Sequence, residues 1–214
     1  MEIILARHGE PVVAHSDEGP VNPELTERGH WQAERLGAWL ACEPIDCVVT
    51  SSMLRAQQTA QPLQRQLGIE NDVVKDFDEI DRQSRVYAPF HLMKERFPEH
   101  YEAIQREDWA ALGWDPPERF GERVLAAWED LLARRPGECV FIACHGGVIG
   151  SITSHLLGLS SRWAFANPPF ASYSRIRVSA DGRAQLLSAN EVGHFDATRT
   201  RAVGPEGEGF GSAG

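Results

Sequence analysis

Three short apolar runs in this chain each give way abruptly to residues that can do chemistry. "EIILA" at 2–6 leads into Arg7, His8 and Gly9; "CVVTS" at 47–51 is followed shortly by Arg55; "CVFIAC" at 139–144 leads into His145, Gly146 and Gly147. In an open α/β sheet, ligands collect beyond the carboxyl ends of the strands. If these three ends converge, two imidazoles and two guanidiniums line one crevice. Guanidinium forks pair with the oxygens of a tetrahedral oxyanion, and a glycine after each histidine lets backbone N–H groups approach an anion closely. A helix opened by Gly146 or Gly147 would turn its positive end to the same spot. Phosphate is the ligand this set fits. An imidazole with its ordinary pKa of about 6.5 can also serve as a neutral nucleophile near pH 7.

Five segments read as strands: 2–6, 47–51, "DVV" at 72–74, 139–144 and "SRIRVS" at 174–179. The first, second and fourth are largely apolar, as in the covered centre of a sheet. Helical spacing predicts four helices between them. The first runs from Thr26 to about Ala41. The second runs from near Met53 to about Gly68, with Pro62 expected to kink or split it. The third covers Glu122 to Arg134, and the fourth starts at Gly146 or Gly147 and continues through Leu157. Strands alternating with helices predict a three-layer α/β sandwich with a mostly parallel sheet. Residues 80–120 break the rhythm and read as a helical insertion over one face, without a convincing strand. A single domain over 1–202 with a mobile glycine-rich tail at 203–214 is the expected organisation.

The 214 residues carry a net charge of −10, from 31 acidic and 21 basic side chains. Such a surface repels nucleic acid and anionic lipid, so neither is an expected partner, and the positive charge a phosphate needs must be concentrated locally. Cys42, Cys47, Cys139 and Cys144 form no Cys-x-x-Cys pair and read as buried free thiols. No stretch approaches the roughly 18 apolar residues of a membrane span, which makes the cytoplasm the default location.

With those residues in view, the chain resembles the histidine phosphatase superfamily, also called phosphoglycerate mutase-like. The resemblance rests on "RHGE" at 7–10, "LTERGHWQAERLGAWL" at 25–40, "TSSMLRAQQTA" at 50–60, "FDEID" at 77–81 and "ACHGG" at 143–147, in that order. It covers much of the first 81 residues and resumes near 120–157. It implies that His8 is a nucleophile forming a phosphohistidine, that Arg7, Arg55 and His145 hold the phosphoryl oxygens, and that Glu79 donates a proton to the leaving oxygen. His8, Glu79 and His145 are then the expected catalytic residues, with Arg7, Gly9, Arg55 and Gly146 binding substrate. No cofactor or metal is implied.

The sequence departs from the family pattern at two places. After Glu79 the usual Gly-x-Trp-Glu-Gly continuation is replaced by "IDRQSRVY", which leaves Glu10 as a competing acid or as a group orienting Arg7 or Arg55. After Pro11, "VVAHSDEGPVN" lacks the hydroxyl residue and Trp-Asn pair with which the family's mutases grip a doubly phosphorylated cofactor. A phosphomonoesterase acting on a small phosphorylated metabolite is therefore the first expectation. A phosphoglycerate mutase is the second, and a catalytically idle phosphate-ligand or protein-binding member the third. The remaining histidines, scattered singly, read as structural. Trp31, Trp39 and Trp128 read as core. Trp109, Trp114, Phe90, Phe97 and Tyr101 fit either private packing of the insertion or the wall of a substrate pocket. Oligomeric state is not legible, a homodimer being the commonest default.

Overall fold

The computed structural model describes residues 1–160 and 168–195. Its centre is a six-stranded sheet built around β1 (Glu2–Arg7), which lies between β6 (Cys139–Cys144) and β7 (Tyr173–Val178). β6 runs parallel to β1, with Glu2 opposite Cys139 and Arg7 opposite Cys144. β3 (Cys47–Thr50) and β4 (Asn71–Val73) continue the parallel half beyond β6, while β7 and β8 (Ala184–Glu191) close the other side antiparallel. The sheet is thus parallel where the three reactive strand ends lie and antiparallel at one flank. The expected tail at 203–214 lies outside the described residues.

Both faces of β1 are covered, which is why its sequence is continuously apolar rather than alternating. Ile3 and Leu5 pack with Phe120, Val124, Trp128 and Leu131 of α6 (Pro117–Arg134) and with Val148, Ile149 and Ile152 of α7 (Gly146–Leu156). Ile4 and Ala6 face Leu36 and Leu40 of α1 (Glu27–Leu40) and Ala60 and Leu63 of α2 (Leu54–Leu67). Trp128 is one of the largest fully buried side chains. Truncating it to alanine would leave a cavity under the sheet. Trp128→Ala is expected to lower unfolding free energy by about 3–5 kcal/mol in denaturant titration, and a loss below about 1 kcal/mol would contradict this packing.

Local chemistry sets the helix ends. Thr26 caps α1, its hydroxyl accepting from Gly29 N–H at 3.0 Å. α6 begins at Pro117, earlier than the periodicity indicates, because a proline in the first turn sacrifices no intrahelical hydrogen bond. Pro62 does not split α2. It is buried where α2 meets α1 at Gly37, and a Cβ on Gly37 would come within 2.8 Å of the proline Cβ. This close helix contact offsets the single backbone bond that Pro62 cannot make to Gln58.

The insertion is mainly helical, with α3 (Phe90–Arg96), α4 (Pro98–Gln105) and α5 (Trp109–Leu112). It also holds one short strand that the sequence did not betray, β5 (Val86–Tyr87), paired with β2 (Ala14–His15). This two-residue ladder ties the insertion to the 11–22 loop. Gly113 ends α5 at φ +65, and a side chain there would collide with the Gln83 carbonyl. Two expectations fail in detail. Trp39 is 50% exposed, with Nε1 donating to the Tyr173 hydroxyl at 2.9 Å, because only one side of α1 meets the sheet. Of the four cysteines expected to be buried, Cys42, just beyond α1, is exposed and Cys139, at the start of β6, is half-buried.

Candidate active site

The carboxyl end of β1 delivers His8. Its N–H donates to the Cys144 carbonyl at 2.9 Å and its own carbonyl accepts from Ala171 N–H at 3.0 Å, so the backbone is pinned on both sides. The ring is buried between His145 and Phe170, with centroids 5.1 and 5.6 Å away. Nδ1 lies 2.7 Å from the Gly9 carbonyl, which can only accept. The proton therefore sits on Nδ1, and Nε2 keeps its lone pair. Burial, reinforced by the positive charges of Arg55 and Arg7, holds the His8 pKa well below the usual imidazole range, so the ring is neutral at pH 7.

Gly9 does not take the substrate-facing place expected of it. Its N–H donates to Thr59 Oγ1 at 2.9 Å, and a Cβ would stand 2.6 Å from the Gly29 carbonyl oxygen of α1. The amide is already committed, and the absent side chain admits α1 rather than an anion. Gly9 acts on the site only by orienting His8.

Arg7 turns back against Phe170, its Cζ 4.2 Å from the ring centroid, and Nη1 donates to the Pro168 carbonyl at 2.6 Å. Arg55, in the first turn of α2, is 1% exposed; Nη2 pairs with Asp81 Oδ1 at 3.1 Å, and Cζ lies 4.7 Å over the Tyr87 ring. Arg7 Nε, Arg55 Nε and Nη1, and His145 Nδ1 are all buried and bond to no described protein group. Buried donors left without a partner are costly and rare, and their gathering at one place fits an oxyanion ligand.

His145, at the end of β6, is wholly buried beside His8. Its Nε2 lies 2.7 Å from Ser51 Oγ, which already accepts from Met53 N–H at 3.2 Å. The Ser51 proton is thus available to Nε2, which leaves the imidazole proton on Nδ1 as a donor. Burial and then the Arg55 charge hold this ring, too, below its ordinary pKa.

Glu79 lies on the segment between a single 3-10 turn (Lys75–Phe77) and β5. Its Oε2 accepts from Gly147 N–H and its Oε1 from Ile80 N–H, both at 2.9 Å. A side chain on Gly147 would strike that carboxylate, which is the physical reason for a glycine there. The segment itself is clamped. Asp78 accepts from Ser52 N–H at 2.8 Å, Arg123 Nη1 donates to the Asp76 and Asp78 carbonyls at 2.8 and 3.0 Å, and Arg123 Nη2 donates to Asp115 Oδ2 at 2.7 Å. Burial pushes the Glu79 pKa up and the charge of Asp81 adds to this; the two N–H bonds and Arg55 oppose, and the net direction is upward. Glu10, by contrast, faces α1, pairing with Arg28 at 3.3 Å and accepting from the Thr26 hydroxyl at 3.2 Å. It neither enters the crevice nor orients Arg7 or Arg55.

Arg7, His8, Arg55, Glu79 and Gly146 thus line one cavity of about 560 Å³, with His145 against His8. Tyr87 and Phe170 join them from stretches that no motif singled out, and Asp81, the last residue of the "FDEID" motif, lines the cavity as well although no role was assigned to it. Among the described residues no group of three or more His, Cys, Asp or Glu side chains is placed to hold a metal ion. No described helix is long and apolar enough to cross a membrane.

The sequence profile of the histidine phosphatase superfamily, branch 1, matches residues 3–191. The chain belongs to that superfamily. Among curated relatives, a probable phosphatase of Schizosaccharomyces pombe is 25% identical, the match spanning 94% of this chain and 98% of that one. Phosphoserine phosphatase 1 of Hydrogenobacter thermophilus is 28% identical, with 91% and 94% covered. A 2,3-bisphosphoglycerate-dependent phosphoglycerate mutase of Arabidopsis thaliana is 29% identical, but the match spans only 59% of its length. Among solved structures, a putative α-ribazole-5'-P phosphatase of Escherichia coli superposes with a TM-score of 0.72 at 25% identity, over 89% of this chain and 97% of that one. Superfamily membership joins phosphatases and mutases, so phosphoryl transfer is the shared chemistry of these relatives.

Proposed function

We propose that this protein hydrolyses a phosphomonoester through a phosphohistidine on His8. The observation that carries this reading is the Nδ1 to Gly9 carbonyl bond, which fixes a neutral tautomer with a free Nε2 among four buried, unpaired N–H groups. Nε2 attacks phosphorus while the ester P–O bond breaks, and Glu79 gives its proton to the departing alkoxide. The Glu79 carboxylate then accepts a proton from water as the water oxygen attacks phosphorus. The N–P bond breaks, inorganic phosphate leaves, and His8 is restored. Arg7, Arg55 and His145 act by holding the equatorial oxygens and offsetting their charge.

The mutase reading keeps its place because some relatives are mutases. Incubating the purified protein with p-nitrophenyl phosphate, and separately with 3-phosphoglycerate plus 2,3-bisphosphoglycerate, separates the two. Release of inorganic phosphate without interconversion of phosphoglycerates is the expected result. Interconversion without release would replace hydrolysis by transfer.

The pKa directions give a pH profile. His8 loses its lone pair only below its depressed pKa, so the acid limb of kcat/KM, which reports the free protein, falls well under the usual imidazole value. Glu79 is a competent acid only below its raised pKa, so kcat/KM falls on the alkaline side as that group ionises, above the ordinary carboxylate range. Glu79→Gln is expected to remove the alkaline limb and, for alkyl phosphates, to lower kcat/KM, which reports only the step that expels the alcohol, by about 10²–10⁴-fold. The loss should be much smaller for p-nitrophenyl phosphate, whose leaving group departs as the phenolate. Equal losses for both esters would take the proton donor role away from Glu79.

A further inference from the structure

We infer that the alcohol carried by the substrate is a bulky apolar or aromatic group bearing no second anionic charge. This rests on the phosphomonoesterase reading and names the substrate class of the same cavity. The phosphoryl end is fixed at the floor by Arg7, His8 and Arg55. Above it the wall is contributed mostly by the insertion: Val86, Phe90, Met93, Ile104 and Trp114, with Phe170 opposite. Trp114 is braced in turn by Trp109, their rings nearly parallel with centroids 6.2 Å apart.

Charge decides what such a wall accepts. Among the described residues lining the cavity, Arg7 and Arg55 are the sole cations, both at the floor, and Arg55 is already paired with Asp81. A carboxylate or second phosphate on the alcohol would be taken out of water against apolar side chains, with no cation among the described residues of the wall to pair with it and with the charge of Asp81 opposing it. An apolar ring instead gains by burial against Phe90 and Trp114, and the pliable Met93 accommodates irregular outlines.

Alkyl esters with similar leaving groups make the test, since intrinsic reactivity then varies little. We expect kcat/KM for 2-(1-naphthyl)ethyl phosphate to exceed that for 3-phosphoglycerate and for phosphoserine by about 100-fold or more. Met93→Lys, which places a cation in the wall, should narrow that ratio at least about tenfold by favouring the anionic esters. Phosphoserine or 3-phosphoglycerate turned over as well as the naphthyl ester would overturn this inference while leaving the phosphomonoesterase intact. A ratio unmoved by Met93→Lys would also count against it. Failure to hydrolyse any of the three esters would sink both readings together.

Discussion

Replacing His8 by alanine is expected to lower kcat by on the order of 10⁴-fold or more for every ester the protein hydrolyses. The size follows from what the side chain supplies. Without Nε2 no covalent intermediate can form, and water must displace the alcohol in one step, in a crevice shaped for an imidazole at the position of attack. The ring is buried, so folding of the variant must be confirmed by circular dichroism before the rate is read. A folded His8→Ala protein that retains more than about a few per cent of turnover would remove the covalent route.

Arg55 carries the next largest effect. One of its guanidinium nitrogens, Nη2, is engaged by Asp81, while the Nε and Nη1 donors on either side of it are unpaired and open to the ligand. Lysine has a single nitrogen and cannot bond Asp81 and two oxygens in the same fork geometry. Arg55→Lys should therefore lose about 10²–10³-fold in kcat/KM, nearly as much as Arg55→Ala. Arg55→Ala also leaves Asp81 without its partner, its negative charge uncompensated next to the phosphate. An Arg55→Lys protein with wild-type kcat/KM would mean that positive charge alone, and not the fork, holds the phosphoryl group.

What the sequence made legible divides along physical lines. β1, β3 and β6 are buried on both faces, so their apolar runs were plain, and the polar residues that end them marked the site. Arg7, His8, Arg55 and His145 were accessible to reasoning because each lies at or just beyond such an end. β8 was not, because it is an edge strand, "AQLLSANE", whose polar and half-exposed residues give no strong run. The two-residue ladder of β2 and β5 is too short to leave a pattern.

The residues that were missed act across long sequence distances. Tyr87 and Phe170 reach the arginines through ring contacts, and nothing in their local sequence announces this. Arg123 reads as an ordinary solvent-side position of α6, yet its guanidinium clamps the Glu79 segment by two hydrogen bonds, to the Asp76 and Asp78 carbonyls, while a third holds it to Asp115. Gly9 and Glu10 show the converse error. Both stand inside the motif, but the approach of α1 claims them: Gly9 by contact with Gly29, Glu10 through Arg28 and Thr26. Proximity in sequence to His8 did not amount to a place in the cavity wall.

The central claim is that the phosphoryl group passes through His8 before it reaches water. Stereochemistry at phosphorus tests this most directly, using a chiral phosphorothioate ester hydrolysed in isotopically labelled water. Two successive in-line displacements each invert the centre, so the account predicts net retention of configuration. Net inversion would show a single displacement by water and would contradict it.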